Sequence, residues 1–219
     1  MNLENKVINF LGDSITEGAG TSAPEKRYFE ILERRCKLKK ANGYGISGTR
    51  IAKQKKPSLE PRWDLYFGSR VDEMDKNADA VVVFGGTNDY GHGDAPIGKF
   101  TDRTYDTFYG ALHLLYQRLI ERFPGKPIVI LTPLHRLNED SLRGEGAKEQ
   151  DAAVLLEYVN IIKEVAAYYS LPVCDMYAIS GIQPNVPIIK EMFCPDGLHP
   201  NDAGNEIMAD RLEGFLRSL

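Results

Sequence analysis

Val7-Ile8-Asn9-Phe10-Leu11-Gly12-Asp13-Ser14 is a short apolar stretch that runs directly into a polar turn. Similar apolar stretches, rich in β-branched residues, lie at positions 80–84, 128–132 and 172–175, and a weaker one lies near 38–46. Short unbroken apolar runs are typical of strands that are covered on both faces of a parallel sheet. The sequence therefore predicts a central sheet of about five parallel strands.

Amphipathic segments separate these apolar stretches. Apolar residues at helical spacing predict one helix that opens at Pro24, one that ends before Pro124, one over 148–169, and a last one capped by Asn201 or Asp202. A strand followed by a helix, repeated along the chain, indicates an α/β protein with right-handed crossovers. We therefore predict a three-layer α/β/α sandwich.

Composition places the chain among ordinary globular proteins. With 219 residues and 42% hydrophobic content, it is expected to form a single domain over 1–219. Its 27 basic and 31 acidic side chains give a net charge of −4, which argues against nucleic-acid binding. Three widely spaced cysteines and the lack of an apolar leader or membrane span predict a cytoplasmic location. The oligomeric state and the roles of the connections 49–77, 133–147 and 176–195 cannot be derived from the sequence.

Several candidate catalytic residues lie in the loops that follow the predicted strands. Ser14 directly follows the first strand, although Gly12-Asp13-Ser14 alone is also typical of a turn with a helix cap. Near the C-terminus, His199 follows Asp196 by three positions, so the carboxylate can accept from Nδ1 while Nε2 points outward. Because ligands of parallel sheets bind beyond the carboxyl ends of the strands, these groups are candidates for one site.

Two glycine-containing turns supply candidate hydrogen-bond donors. Asn88 stands in Gly85-Gly86-Thr87-Asn88-Asp89, directly after the third predicted strand, and Gly48 follows the weak second strand. A side-chain amide and backbone N–H groups at one point can stabilise an oxyanion. We predict an oxyanion hole formed by the N–H groups of Ser14 and Gly48 and the amide of Asn88.

The four blocks together resemble the SGNH, or GDSL-type, hydrolases. Gly12-Asp13-Ser14-Ile15 resembles the family's first block, Gly48 the second, Gly86-Thr87-Asn88-Asp89 the third, and Asp196-Gly197-Leu198-His199-Pro200 the last, in family order. The resemblance implies a flavodoxin-like sandwich and hydrolysis of esters or thioesters without a metal or cofactor. It implies Ser14 as nucleophile, His199 as base and Asp196 as the carboxylate that orients it. Ile15 replaces the leucine of the family motif, which is a conservative change.

The substrate is expected to be a small soluble ester, such as an O-acetylated sugar. Thioesterase and lipase or lysophospholipase activities of the same family remain alternatives. We predict substrate contacts from five side chains near the strand ends and the long connections: Asp13, Asp89, His135, Trp63 and Phe193.

Two readings outside this class stay open. A metal-dependent phosphoesterase also uses Asp, Asn and His at a sheet edge, but the chain has four histidines and lacks the Asp-x-His and Gly-His-x-His ligand spacings. A non-catalytic module could bind a glycan with the same fold. Binding alone needs no serine, histidine and aspartate in series, which argues against that reading.

Overall fold

Five parallel strands form the central sheet of the computed structural model, which describes residues 1–146 and 148–219. The strands are β1 (Val7–Gly12), β2 (Lys40–Gly45), β3 (Ala80–Phe84), β4 (Ile128–Leu131) and β5 (Val173–Cys174). They lie in the order β2-β1-β3-β4-β5, and every neighbouring pair is parallel. The predicted parallel sheet is therefore confirmed. The weak second strand is an edge strand with partly exposed residues, which explains its faint apolar pattern.

Helices cover both faces of this sheet. They are α1 (Ser14–Glu17), α2 (Tyr28–Cys36), α3 (Thr87–Gly91), α4 (Phe108–Arg122), α5 (Leu155–Tyr168), α6 (Met176–Ile179), α7 (Pro187–Phe193) and α8 (Asp202–Ser218). Helices α4 and α5 pack on one face, and α2 and α8 pack on the other. The predicted three-layer α/β/α sandwich is confirmed.

Side chains of β3 alternate between the two layers, as the two-residue period of a strand requires. Val81 and Val83 belong to the core beneath α4 and α5. Ala80, Val82 and Phe84 belong to the core beneath α2 and α8. Because all five are buried, the strand reads as one continuous apolar run in the sequence.

Two helices begin later than the sequence pattern predicts. Pro24 opens only a short 3₁₀ turn, and the extended backbone of Arg27 separates that turn from α2. The segment predicted as helix from position 148 is not helical as far as Val154, and α5 begins after it. Its lysine, Lys148, instead donates to the backbone oxygens of Asp89 at 2.8 Å and Gly93 at 2.6 Å. Tertiary hydrogen bonds therefore override the helical spacing here.

The long connections carry short helical turns. Two 3₁₀ helices, Pro61–Asp64 and Phe67–Glu73, lie within 49–77, and α6 and α7 lie within 176–195. The last residue of the predicted 133–147 connection, Ala147, is outside the described residues. Among the helices of the described chain, none has the length and apolar character needed to cross a membrane.

Candidate active site

Ser14 is the first residue of α1 and follows β1 after one intervening residue. That residue, Asp13, caps the helix by accepting a 3.1 Å hydrogen bond from the backbone N–H of Ile15. Because a helix N-terminus leaves its first N–H groups without intrahelical partners, the N–H of Ser14 is available as a donor. The strand-to-helix turn thus holds the Ser14 hydroxyl at the carboxyl edge of the sheet.

Three side chains from opposite ends of the chain are hydrogen-bonded in series. The Ser14 Oγ lies 3.0 Å from Nε2 of His199, although the two residues are 185 positions apart. The other ring nitrogen of His199, Nδ1, lies 2.7 Å from Oδ2 of Asp196. An imidazole held in this way can take a proton from the serine while the carboxylate orients the ring.

Asp196 is held in its charged form by the turn that precedes α8. Its Oδ1 accepts hydrogen bonds from the backbone N–H groups of Leu198 at 2.8 Å and His199 at 2.7 Å. Partial burial alone would raise the pKa of Asp196, but these N–H groups and the imidazole outweigh it and lower the pKa below its ordinary value. The carboxylate therefore stays ionised and fixed in orientation beside the imidazole.

Gly48, three residues after the end of β2, carries a backbone N–H that can act as a donor. Its φ of +73° lies in the left-handed region, and a Cβ at this position would be 2.7 Å from the indole of Trp63. Glycine is therefore required here for both conformation and space. Within the described chain, the N–H of Gly48 donates no hydrogen bond.

Asn88 completes a set of donors from the second position of α3. One N–H of its amide donates to the backbone oxygen of Thr49 at 2.9 Å, and the second N–H remains available, since an amide nitrogen carries two. The next residue, Asp89, accepts from the backbone N–H groups of Ile51 and Ala52, both at 2.9 Å. These bonds tie α3 to the segment that follows Gly48.

A cleft of about 1100 Å³ opens above these groups. Ser14, Gly48, Asn88 and His199 line it together, and so does Trp63. Two chain segments form further walls, residues 54–59 and 148–152. Lys56 and Glu149 form an ion pair between these two segments. The structure thus gathers the predicted serine, histidine and oxyanion donors at one opening.

Four of the five predicted substrate contacts do not line this cleft. Asp13 and Asp89 are buried, and their carboxylates are occupied by backbone N–H groups. Burial raises the pKa of Asp13 to about 6, against the lowering effect of the Ile15 N–H. Burial likewise raises the pKa of Asp89. Phe193 packs instead beneath α2 and α8 with the core of that layer.

His135 also lies away from the cleft, in a cluster of its own. Its Nδ1 is 2.8 Å from Oε2 of Glu139, and its ring lies 3.8 Å from that of Tyr177, centre to centre. Of the five predicted contacts, only Trp63 is at the opening. A position near a strand end in the sequence was therefore not sufficient to predict that a residue lines the cleft.

Arg50 and His92 also line the cleft, and neither is among the five predicted substrate contacts. Arg50 follows Gly48 by two positions, and His92 follows Asn88 by four. His92 follows α3 as its C-cap residue, with a non-helical φ of −139°. Since α3 is only one turn long, the sequence carried no periodic pattern from which that helix could be predicted.

A parallel α/β/α sandwich with a serine, a histidine and a carboxylate in series at its carboxyl edge defines a hydrolase class. The chain belongs to the GDSL-like Lipase/Acylhydrolase family, whose sequence profile matches residues 10–207. The resemblance to SGNH hydrolases is thereby confirmed, and the protein is an ester hydrolase of this family. No curated protein has a sequence significantly similar to this chain.

Solved structures share the fold over nearly the whole chain. A protein from Lactobacillus plantarum is 29% identical, with a TM-score of 0.83 and coverage of 98% of each chain. An acetyl xylan esterase is 24% identical, with a TM-score of 0.63 over 95% of this chain and 98% of its own. An alpha/beta hydrolase from the metagenome of Lake Arreo, Spain, is 18% identical, with a TM-score of 0.62 over 96% of this chain and 94% of its own. The last two show likeness of fold alone.

Proposed function

We propose that the protein hydrolyses carboxylic esters with Ser14 as nucleophile, His199 as general base and Asp196 as the carboxylate that orients it. The observation that carries this proposal is the series of two hydrogen bonds, 3.0 Å from Ser14 to His199 and 2.7 Å from His199 to Asp196. A serine hydroxyl needs such a neighbouring base to attack an ester. The ionised Asp196 stabilises the imidazolium that forms during the attack.

In the acylation step, His199 takes the hydroxyl proton as Ser14 Oγ bonds to the ester carbonyl carbon. The carbonyl oxygen becomes an oxyanion, which accepts from the N–H groups of Ser14 and Gly48 and from the free N–H of Asn88. When the intermediate collapses, the bond to the alcohol oxygen breaks and His199 returns the proton to that oxygen. Water then repeats the sequence on the acyl-enzyme, which releases the acid and restores the serine.

The substrate that we propose is a small soluble ester, such as an O-acetylated sugar. Beside apolar residues such as Ile97, the cleft carries polar and charged side chains on several walls, among them Gln54, Lys55 and Gln150. Such groups match a polyhydroxylated alcohol better than a long acyl chain, which would need an apolar channel. The acetyl xylan esterase among the solved structures has the same fold, and its name is consistent with this substrate class.

We also propose a cytoplasmic location, supported by three buried, unpaired cysteines.

Labelling with a fluorophosphonate tests the nucleophile. We expect a mass increase on the peptide that contains Ser14, and no labelling of Ser14→Ala. Ser218→Ala is the matched control, because Ser218 is an exposed serine in the last turn of α8. A folded wild-type protein that does not react would favour the non-catalytic binding module instead.

A series of p-nitrophenyl esters of increasing acyl length, assayed beside an acyl thioester, tests the substrate class. We expect the highest kcat/KM for acetate and a steep decline beyond butyrate. An optimum at eight or more carbons would favour a lipase, and faster thioester cleavage would favour a thioesterase. A metal chelator in the same assay tests the metal-dependent phosphoesterase, because only that enzyme would lose its activity. Across the described residues, no group of three or more His, Cys, Asp and Glu side chains is arranged to hold a metal.

A further inference from the structure

His92 stands one helical turn beyond the proposed oxyanion donor Asn88. Its backbone N–H donates to the backbone oxygen of Asn88 at 3.0 Å, which closes the turn of α3. His92 ends α3 with a non-helical φ of −139°, and the side chains of Asn88 and His92 line the same cleft as Ser14. The His92 imidazole therefore lies at the same opening as the Asn88 amide.

Arg50 determines which nitrogen of His92 carries the proton. The Arg50 side chain is 3% exposed, and its Nη2 is bonded to Asp64 Oδ1 at 3.0 Å and to Ser58 Oγ at 2.9 Å. Its Nη1 lies 3.0 Å from Nδ1 of His92. Because a guanidinium can only donate, Nδ1 must accept this hydrogen bond. The neutral ring then carries its proton on Nε2.

The charges around His92 keep the ring neutral. Burial, and then the positive charge of Arg50, lower the pKa of His92 to about 4. Arg136 and Lys148 act in the same direction, and Glu145 opposes them. Protonation of Nδ1 would also break the bond from Arg50 and set two cations side by side. Among the residues that the structure describes, nothing accepts a hydrogen bond from Nε2.

We propose that the Nε2–H of His92 donates a hydrogen bond to an oxygen in the alcohol part of the substrate, within the cleft that Ser14 and Asn88 also line. An acetylated sugar carries ring and hydroxyl oxygens beside its acetyl group, whereas phenyl acetate has no acceptor beyond its ester. His92 is thus a specificity residue, and Arg50 is a positioning residue that acts through it. The inference rests on the proposed function and deepens it, because it assigns a residue to recognition of the sugar.

Two substitutions at His92, assayed on two substrates, test the inference. His92→Phe keeps a ring but loses the donor, and His92→Gln keeps an N–H donor at a similar distance. With a mono-O-acetylated glucose we expect His92→Phe to lower kcat/KM roughly three- to tenfold, the range for one neutral hydrogen bond. We expect His92→Gln to recover part of the loss. With phenyl acetate, both variants should stay within twofold of the wild type.

Equal losses on both substrates would mean that His92 only supports the structure and would overturn the inference. No loss on the sugar ester, or a wild type that cleaves phenyl acetate but not the sugar ester, would also overturn it. The proposed triad is tested separately by Ser14→Ala on phenyl acetate. If Ser14→Ala retains that activity, the proposed function itself fails.

An imidazole ¹H–¹⁵N spectrum of the labelled protein tests the tautomer directly, with His92→Phe used to assign the signal. We expect the proton on Nε2, and no titration of this ring between pH 5 and pH 8. Arg50→Met should move the titration of His92 upward, toward the ordinary range of an imidazole. A proton on Nδ1 in the wild type, or a titration near pH 6.5, would overturn the inference.

Discussion

Asn88 shows how a single side chain serves both the fold and the proposed reaction. One N–H of its side-chain amide donates to the backbone oxygen of Thr49 at 2.9 Å, and the second N–H is free to donate to an oxyanion. Losing one such donor costs about 2.7–4 kcal/mol of transition-state stabilisation in known cases. We therefore expect Asn88→Ala to lower kcat by two to three orders of magnitude, measured on p-nitrophenyl acetate.

In Asn88→Ala, the effect of losing the hydrogen bond to Thr49 must be distinguished from the effect of losing the oxyanion donor. Urea unfolding of Asn88→Ala should show a folded protein that is destabilised by only about 1–3 kcal/mol, the cost of one unmade buried hydrogen bond. If the variant is folded and its kcat falls less than fivefold, Asn88 does not stabilise the oxyanion.

Asp13 is a buried carboxyl whose pKa is raised by burial. Burial raises its pKa from 3.8 to about 6. The N–H of Ile15 and the positive charges of His199 and Arg70 limit that rise. Between these two pKa values the folded protein holds a proton that the unfolded chain has already lost. Stability therefore falls as pH rises through this window, by roughly 3 kcal/mol in total.

Replacing Asp13 with asparagine should remove this pH dependence. Asp13→Asn keeps an oxygen that can accept from Ile15 but has no titrating group. From pH 4 to pH 7, its free energy of unfolding should rise relative to wild type by roughly 2–3 kcal/mol, measured by urea unfolding at both pH values. A difference that stays constant over this range would contradict the raised pKa of Asp13.

At the scale of elements, the segment after α1 packs directly on the loop that carries His199. Gly20 has a φ of +90°, and a Cβ there would lie 2.6 Å from the backbone oxygen of Pro200 and 3.0 Å from Cβ of His199. An added methyl group must therefore displace the loop. Since small displacements of a catalytic group can cost up to a hundredfold, we expect Gly20→Ala to lower kcat/KM ten- to a hundredfold.

Gly125 offers a matched control for the backbone strain. Its φ of +73° is also left-handed, but a Cβ there would have no neighbour within 4 Å. Gly125→Ala should cost about 1–2 kcal/mol of stability, as expected for a left-handed alanine, and leave activity unchanged. If both variants have the same activity, the contact between Gly20 and the His199 loop does not position the proposed base.

Elements with a long repeating pattern were predictable from the sequence, and short ones were not. The spacing of Phe108, Leu112 and Leu115 predicted α4, because a helix of four turns repeats its buried positions several times. Helices α1 and α3 have only one turn each, so no period could reveal them. Helix α1 is capped locally by Asp13, and α3 is held by tertiary contacts, the bonds from Ile51 and Ala52 to Asp89.

At the scale of the whole molecule, Arg70 links two strands to the long connection that covers them. Its guanidinium donates to the backbone oxygens of Gly12 in β1 at 3.1 Å, Tyr44 in β2 at 2.6 Å and Leu65 at 3.1 Å. The side chain is fully buried, and that burial lowers its pKa to about 10. The end of β1 that precedes Ser14 is therefore held in place by a residue 58 positions from Gly12.

Removing this guanidinium should destabilise the whole protein. Arg70→Met leaves three carbonyl oxygens without this donor in a buried place, and we expect a loss of about 3 kcal/mol or more in urea unfolding. Arg70→Lys should lose less, because an ammonium can still reach one or two of the oxygens. Arg34→Met is the exposed control and should change stability by under about 0.5 kcal/mol. Equal effects at both positions would contradict the role assigned to Arg70.

By itself, the sequence determined the strands, the longer helices, the layer architecture and the four blocks that mark the family. Local signals carry these features, because hydrophobic period and motif spacing are properties of neighbouring residues. Only the tertiary structure decided that His199 meets Ser14, that Asp89 and His135 face away from the cleft, and that Arg50 orients His92. Each of these depends on contacts between residues far apart in the chain, whose geometry follows from how the layers pack.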